Sequence, residues 1–472
     1  MPHKASLIVK NGTVVTEDAT FKADVAITDG VFTAIAAPGA LDQLEADETY
    51  DASGKHVLPG VIDGHVHFRE PGLEYKEDLH SGSRSAVMGG VTSVVDMPNT
   101  KPPTANPEIV LLKKKLIEEK AYCDVGVIGV FVQENLDQLK PMAEAGVVGY
   151  KVFLGETIGN IPAPDDGVMF EGLQQIAETG LRIGFHAENN ELMQHLIRKY
   201  KAAGRTDPLA HVETRPVVAE VESIQRMGLF ASYTGTKVHI FHLSSKPGLD
   251  MIDEWRAKGV NFTTETGGHY AFLTSDDMKT LGATLRMNPP VREPGHGDAL
   301  VQGLKDGRVN SIATDHSPHT REEKLNDDIW KAISGFAGVE VSVPLFLTYA
   351  VNTGRMTINE YVRASSTGPA KVWGMYPKKG AIRIGSDGDL TIVDLKKAGV
   401  VRESELHGKN NLTPFEGHKT TANPVATVVR GQIMMRDGEL VGEPRGQMIK
   451  PLSAKEQAAL GASDKEPQLA SA

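Results

Sequence analysis

Two histidines flank one residue at the end of an apolar run, His65-Val-His67, and Arg69 takes the next alternate position. On a strand, alternate residues share a face, so both imidazoles and the guanidinium point the same way. Paired imidazoles suit a divalent metal, and a guanidinium suits a carboxylate. His186 and His242 each close a further apolar run just before a polar turn, and Asp315 does so in ATDHSPH. Lys151 lies inside GVVGYKVFL, a stretch that expels a lysine unless something neutralises it. A buried amine of lowered pKa can instead react with CO2 to give a carbamate, an anion whose two oxygens can bridge two metals. Each residue also has a plain reading. H-x-H arises by chance, and His186 and His242 serve as satisfied core histidines. Asp315 caps a helix, Lys151 snorkels from an edge strand, and Arg69 pairs with Glu70 or Glu74. The plain readings do not explain why four histidines, one buried lysine and one aspartate recur at the same place in successive runs.

Those runs define the elements. From residue 57 to 318 there are eight, among them VLPGVIDGHVHF, VTSVVDMP, VVGYKVFL, RIGFHAEN, KVHIFHLSS and VNSIATDHSP. Amphipathic stretches at 77–88, 136–145, 216–233 and 247–258 alternate with them. Strands buried on both faces read as continuous apolar runs, and strand–helix alternation implies a parallel sheet. The pattern predicts an α/β fold, a (β/α)8 TIM barrel over 55–385. Functional residues in such barrels gather at the C-terminal ends of the strands, where six of the eight runs turn polar. Both chain ends carry a different texture of short strands with Asn11-Gly12, Asp29-Gly30, Arg430-Gly431 and Asp437-Gly438 at expected hairpin turns. They predict a small β-sandwich domain built from 1–54 plus 386–450. The polar tail 451–472 is expected to be mobile or to lie over a neighbouring subunit.

Composition narrows the function classes. The 472 residues include 50 Lys and Arg against 61 Asp and Glu, a net charge of −11, which argues against nonspecific nucleic-acid binding. A small anionic substrate stays open, because one local arginine outweighs a distant net charge. Cys123 is the single cysteine, so no internal disulfide is possible and a metal site would use nitrogen and oxygen donors. No apolar run approaches the roughly 18 residues of a membrane span, and MPHKASLIVK lacks the apolar centre of a signal peptide. A soluble cytoplasmic protein with no membrane partner is expected.

PGVIDGHVHFREPG, GYKVF, FHAEN, HLSS, NPPVRE and ATDHSPH together resemble the cyclic amidohydrolases of the amidohydrolase superfamily, over about residues 5–450. That group comprises dihydroorotases, allantoinases, hydantoinases and dihydropyrimidinases. GAIRIGSDGDLTIVDL resembles the return of these enzymes from the barrel into the β domain. The resemblance implies two divalent ions per chain, zinc being the usual one. His65, His67 and Asp315 would hold the more buried ion, and His186 and His242 the second. Lys151, as its carbamate, would bridge both along with a hydroxide. His239 rivals His242, which is preferred for its place directly before the HLSS turn. The implied chemistry is hydrolysis of a ring C–N bond, with Asp315 first taking a proton and then delivering it to the departing nitrogen.

Arg69, Asn99 and His319 are the expected substrate contacts, with Asn288 in the NPPVRE loop. The H-x-H-x-R and DMPNT patterns resemble dihydroorotases, whose substrate carries a ring carboxylate. Many bacterial dihydroorotases with this arginine have an aspartate where Lys151 stands. Lys151, FLGETIGNIPAPDDG and RPVVAEVESIQRM look more like allantoinases and hydantoinases. The expected activity is therefore dihydroorotase-like, between dihydroorotate and N-carbamoyl-aspartate, with allantoinase- or hydantoinase-type ring opening as the alternative. A non-catalytic scaffold relative is the distant one, opposed by the filling of all six ligand positions. Relatives of this kind suggest a homo-oligomer, a dimer or tetramer.

Overall fold

The computed structural model describes residues 4–156, 159 and 161–460. Eight parallel strands follow one another in chain order around a barrel: Val61–Val66, Val91–Asp96, Asp124–Val130, Gly149–Phe153, Arg182–His186, Lys237–Ile240, Phe262–Thr266 and Ser311–Ile312. The eighth strand has only two residues, so closure comes just beyond it. Val66 bridges His316 in parallel, and His67 N donates to His316 O at 2.7 Å. All eight strands coincide with the apolar runs. The helices Leu79–Met88, Leu139–Ala145, Val217–Thr234 and Lys246–Ala257 occupy the four amphipathic stretches. Asp78 and Ser81 cap the first of these reciprocally, satisfying backbone N–H groups that the helix itself cannot.

The second domain is one nine-stranded mixed sheet drawn from both ends of the chain. Its order runs Glu439–Leu440, Gln432–Arg436, Asn423–Val429, Leu390–Asp394, His56–Pro59, Ala5–Val15, Thr20–Thr28 and Val31–Ala36, with Ala46–Asp51 also beside Ala5–Val15. Its inward residues, from Leu7 and Val25 to Ile392 and Val428, meet in one core. Three of the four expected turns are hairpins: Asp29-Gly30, Arg430-Gly431 and Asp437-Gly438 all have positive φ between paired antiparallel strands. Asn11-Gly12 is not a turn. Ala5–Val15 is a single strand, and Asn11, at φ 62°, is a bulge within it whose N–H donates to Asp24 Oδ1 at 2.7 Å. There the strand exchanges one parallel neighbour, Ala46–Asp51, for another, His56–Pro59. A side chain at Gly12 would meet Val57 Cγ2 at 2.5 Å, so the exchange needs glycine.

The two domains are clamped at the base of the barrel. Lys379 Nζ lies 2.5 Å from Asp124 Oδ2, 2.9 Å from Asp387 Oδ2 and 2.7 Å from Asp389 Oδ2, and Arg430 also pairs with Asp124. The three carboxylates could have gathered a metal, but the lysine ammonium already occupies their centre. The chain then returns to the barrel, where Met448–Ile449 pairs in parallel with Val125 and Gly126. Ala454–Ala459 is helical within the stretch expected to be a mobile tail, and residues 461–472 of that tail lie outside the described part. No helix among the described residues is long and apolar enough to cross a membrane.

Candidate metal and active site

Strand ends from around the barrel bring most of the sequence-selected residues into one cleft. It is lined by His67, Arg69, Asn99, Lys151, His186, His242, Asn288 and Asp315, together with Phe153, Met287, Ser317, Ser334 and Gly335. His65 and His67 share a face as the alternation requires, with their Nε2 atoms 3.3 Å apart. Asp315 Oδ1 stands 3.3 Å from His65 Nε2 and 3.1 Å from His67 Nε2. On the other side of the cleft, His186 Nδ1 is 2.9 Å from His242 Nε2. Three non-glycine residues here adopt positive φ: Arg69 at 66°, His242 at 39° and Asp315 at 49°. Such backbone is costly and concentrates at functional sites.

The surrounding hydrogen bonds decide which imidazole nitrogens are free. His65 Nδ1 donates to Glu265 Oε1 at 2.6 Å, so its Nε2 carries a bare lone pair. His186 Nε2 donates to Glu188 Oε2 at 2.8 Å, and Glu188 is held by Arg215, so His186 Nδ1 is bare as well. Each bare nitrogen faces another imidazole nitrogen, and His65 also faces Asp315. A divalent cation satisfies such a set where a proton serves only one pair. The donor set is the nitrogen and oxygen chemistry of a divalent metal site.

Lys151 sits between the two groups, its Nζ 2.9 Å from His65 Nε2. It cannot snorkel. Its strand pairs on both sides within the closed barrel, and the Phe153 and Phe241 rings lie 4.9 and 4.5 Å from the nitrogen. Burial pushes the amine down to about 8, against the opposing pull of Asp315 and Glu265. At that value about a tenth of the amine is neutral at pH 7, and the neutral form is the one that reacts with CO2.

His239, the rival of His242, faces the barrel base. Its Nε2 meets Glu265 Oε2 at 3.2 Å, its Nδ1 meets Thr263 Oγ1 at 2.9 Å, and Trp373 lies against its ring. Arg69 pairs with neither glutamate proposed for it. Glu70 binds Lys120, and Glu74 accepts from Gly72 N at 2.8 Å. Arg69 Nη2 instead meets His319 Nε2 at 3.1 Å, and its Nε has no partner among the described residues. Asn99 lines the same wall, and Asn288 Oδ1 accepts from Ser334 Oγ at 3.1 Å. His319 stands behind Arg69 rather than on the cleft wall. Sequence reasoning passed over Glu265 and Lys76. Glu265 left a signal, as the charged residue near the end of the seventh run. Asp96, polar at the end of the second run, binds Lys113 at 2.6 Å and is structural.

A closed parallel barrel with imidazole and carboxylate donors at its C-terminal mouth is the architecture of a metal-dependent hydrolase. The chain belongs to the amidohydrolase family, whose model matches residues 56–434. An L-hydantoinase of Paenarthrobacter aurescens is 36% identical over 448 residues, 94% of this chain and 97% of the relative. An allantoinase of Deinococcus radiodurans is 33% identical over 453 residues, 95% and 99% of the two chains. The solved structure of an L-hydantoinase (dihydropyrimidinase) from Arthrobacter aurescens superposes with a TM-score of 0.92 at 36% identity, covering 94% of this chain and all of the other. The protein is accordingly a cyclic amidohydrolase, a hydrolase of C–N bonds in cyclic amides.

Proposed function

We propose that this enzyme opens a cyclic ureide or imide that bears a carboxylate, with the dihydroorotate/N-carbamoyl-aspartate pair as the prototype. The observation that carries this reading is Arg69, a buried guanidinium on the cleft wall, paired with an imidazole instead of a carboxylate and keeping an unsatisfied Nε. A buried cation with no carboxylate in hydrogen-bond contact is costly even with Asp315 and Asp96 nearby, and a substrate carboxylate would lower that cost. Asn99 on the same wall would be a second contact to the carboxylate, and the Asn288 loop would hold the ring.

His65, His67 and Asp315 would hold one divalent ion, His186 and His242 a second, and Lys151 as its carbamate would lie between them. When bound, the ions would lower the pKa of a shared water and polarise the ring carbonyl, as divalent ions do in such sites. Asp315 would take the proton of the attacking water and hand it to the departing ring nitrogen. Glu265 would fix His65 with its Nε2 lone pair toward the ion. Glu265→Gln loses the charge that orients this ring, so metal affinity is expected to fall about 10- to 100-fold. Residual metal after dialysis against graded chelator checks this, and an unchanged chelator midpoint rejects it.

The reading is tested with metal-loaded enzyme on a panel of dihydroorotate, allantoin, dihydrouracil, hydantoin and simple imides. Arg69→Ala is expected to lower kcat/KM for the carboxylated ring about 100-fold or more, and for neutral rings by less than about threefold. Equal losses on both would remove Arg69 from substrate recognition. Hydantoinase- or allantoinase-type activity is the second reading, favoured by the likeness to such enzymes over nearly the whole chain. It wins if neutral rings are the better substrates. The enzyme is proposed to work as a dimer or tetramer, to be read from its mass by light scattering.

A further inference from the structure

A row of polar groups runs from Arg69 to the surface, and its hydrogen bonds are consistent only for one placement of protons. His319 stands between Arg69 Nη2, 3.1 Å from its Nε2, and Lys76 Nζ, 3.0 Å from its Nδ1. A neutral imidazole has one N–H and one lone pair, and a guanidinium only donates. Nε2 therefore accepts from Arg69, and Nδ1 carries the hydrogen. That hydrogen points at Lys76 Nζ, since Glu323 Oε2 is 3.7 Å away. Lys76 can accept it only as a neutral amine, and in that state it still donates to Glu323 Oε1 at 3.0 Å.

The surroundings favour that state. Lys76 is buried, shares its loop with Arg69, and lies 5.4 Å from the Tyr75 ring. The loop after the eighth strand brings His319 and Glu323 against it and Lys324 near His319, while Asn410 Nδ2 donates to the Lys76 carbonyl. Burial and Arg69 push the Lys76 amine below the usual lysine range, and Glu323 pulls the other way.

A carboxylate arriving at Arg69 shifts the balance toward charged Lys76. The Nδ1 proton then passes to Lys76 Nζ, and one proton from solvent arrives at Nε2. The row gains one proton in all. With Nε2 protonated, His319 no longer accepts from Arg69, whose Nη2 is then free to donate to the arriving anion. We propose that Lys76 is a specificity-positioning residue that, through His319, couples carboxylate binding at Arg69 to the uptake of one proton. This rests on the carboxylate reading of the site given above.

The experiment is calorimetry on the metal-loaded full chain at about pH 8, in HEPES and in Tris, whose ionisation heats differ. Orotate, an unsaturated carboxylated ureide, is compared with uracil, the same ring without the carboxylate. Orotate binding is expected to take up about one proton and uracil binding none. Lys76→Met should abolish the uptake and weaken orotate about tenfold or more, leaving uracil unchanged. Lys76→Arg, a cation that cannot give up its proton, should bind orotate within about threefold of the native enzyme with no uptake. Orotate binding that depends on Arg69 yet gives equal heats in both buffers overturns the role of Lys76 alone, as does uptake that survives Lys76→Met. Orotate affinity unchanged in Arg69→Ala, or no orotate binding at all, overturns the carboxylate reading and the Lys76 role with it.

Discussion

Asp315→Asn is expected to keep its fold and, in excess metal, its ions, while turnover falls by about 10³-fold or more, equivalent to roughly 4 kcal/mol of barrier. The substitution is chosen for the backbone as much as for the chemistry. Asp315 has a φ of 49°, and asparagine is among the few other residues that visit that region at small cost. The amide keeps an oxygen for the place Oδ1 now holds beside His65 and His67. What it cannot do is accept a proton from water and return it to a nitrogen. Burial raises the Asp315 carboxyl, with Lys151 and nearby histidines opposing, which brings the group nearer to a reversible proton carrier than a surface aspartate is. Elemental analysis and kcat on the preferred ring are the two measurements. A variant that holds metal and keeps more than about a tenth of the native rate rejects the proton role.

Most of the barrel was legible because its signal is local. A strand buried on both faces is an apolar run, and such a run needs no knowledge of its neighbours to be recognised. The polar residues at the strand ends were legible for the same reason, since each interrupts its own run. The Asn11-Gly12 step shows where local reading fails. A positive φ is needed at a hairpin turn and at a bulge alike. Only the presence of His56–Pro59 and Ala46–Asp51 on the same edge decides between them. The Lys379 clamp was hidden likewise, because its three aspartates come from positions 124, 387 and 389 and nothing in any one segment links them.

The residues that tune the site were harder to see than those that form it. Glu265 and His239 occupy neighbouring strands, and their pairing turns a histidine that looked like a ligand into one that faces the barrel base. The choice between His239 and His242 rested on a resemblance. The structure adds a physical reason, because His242 lies past the end of its strand at the mouth while His239 lies within it. Lys76 was passed over because a lysine in a polar loop carries no signal by itself. Its meaning comes from His319, which lies 243 positions away in the chain.

Lys151→Ala is expected to leave fewer than one divalent ion per chain and to cost about 10³-fold or more in turnover. Its value lies in a difference of sign between two readings. If Lys151 were a plain buried ammonium, it would stand 2.9 Å from His65 Nε2 and repel any cation placed there. Its removal would then strengthen metal binding and relieve an unfavourable buried charge. If the amine instead carries a carbamate, removal takes away two oxygens that hold both ions. The local structure favours the second outcome. The nitrogen lies between two aromatic rings and the donor histidines, and burial that lowers its pKa to about 8 supplies neutral amine to react with CO2. Alanine leaves space the size of the lost side chain, so formate, acetate or propionate at millimolar concentration can place a carboxylate where the carbamate was. Recovery of metal and of about tenfold activity with these acids, and with no matching effect of chloride or neutral amides, is the expected result. Tighter metal binding in Lys151→Ala than in the native enzyme would reject the carbamate outright and leave Lys151 as a buried charge held in check by Asp315 and Glu265.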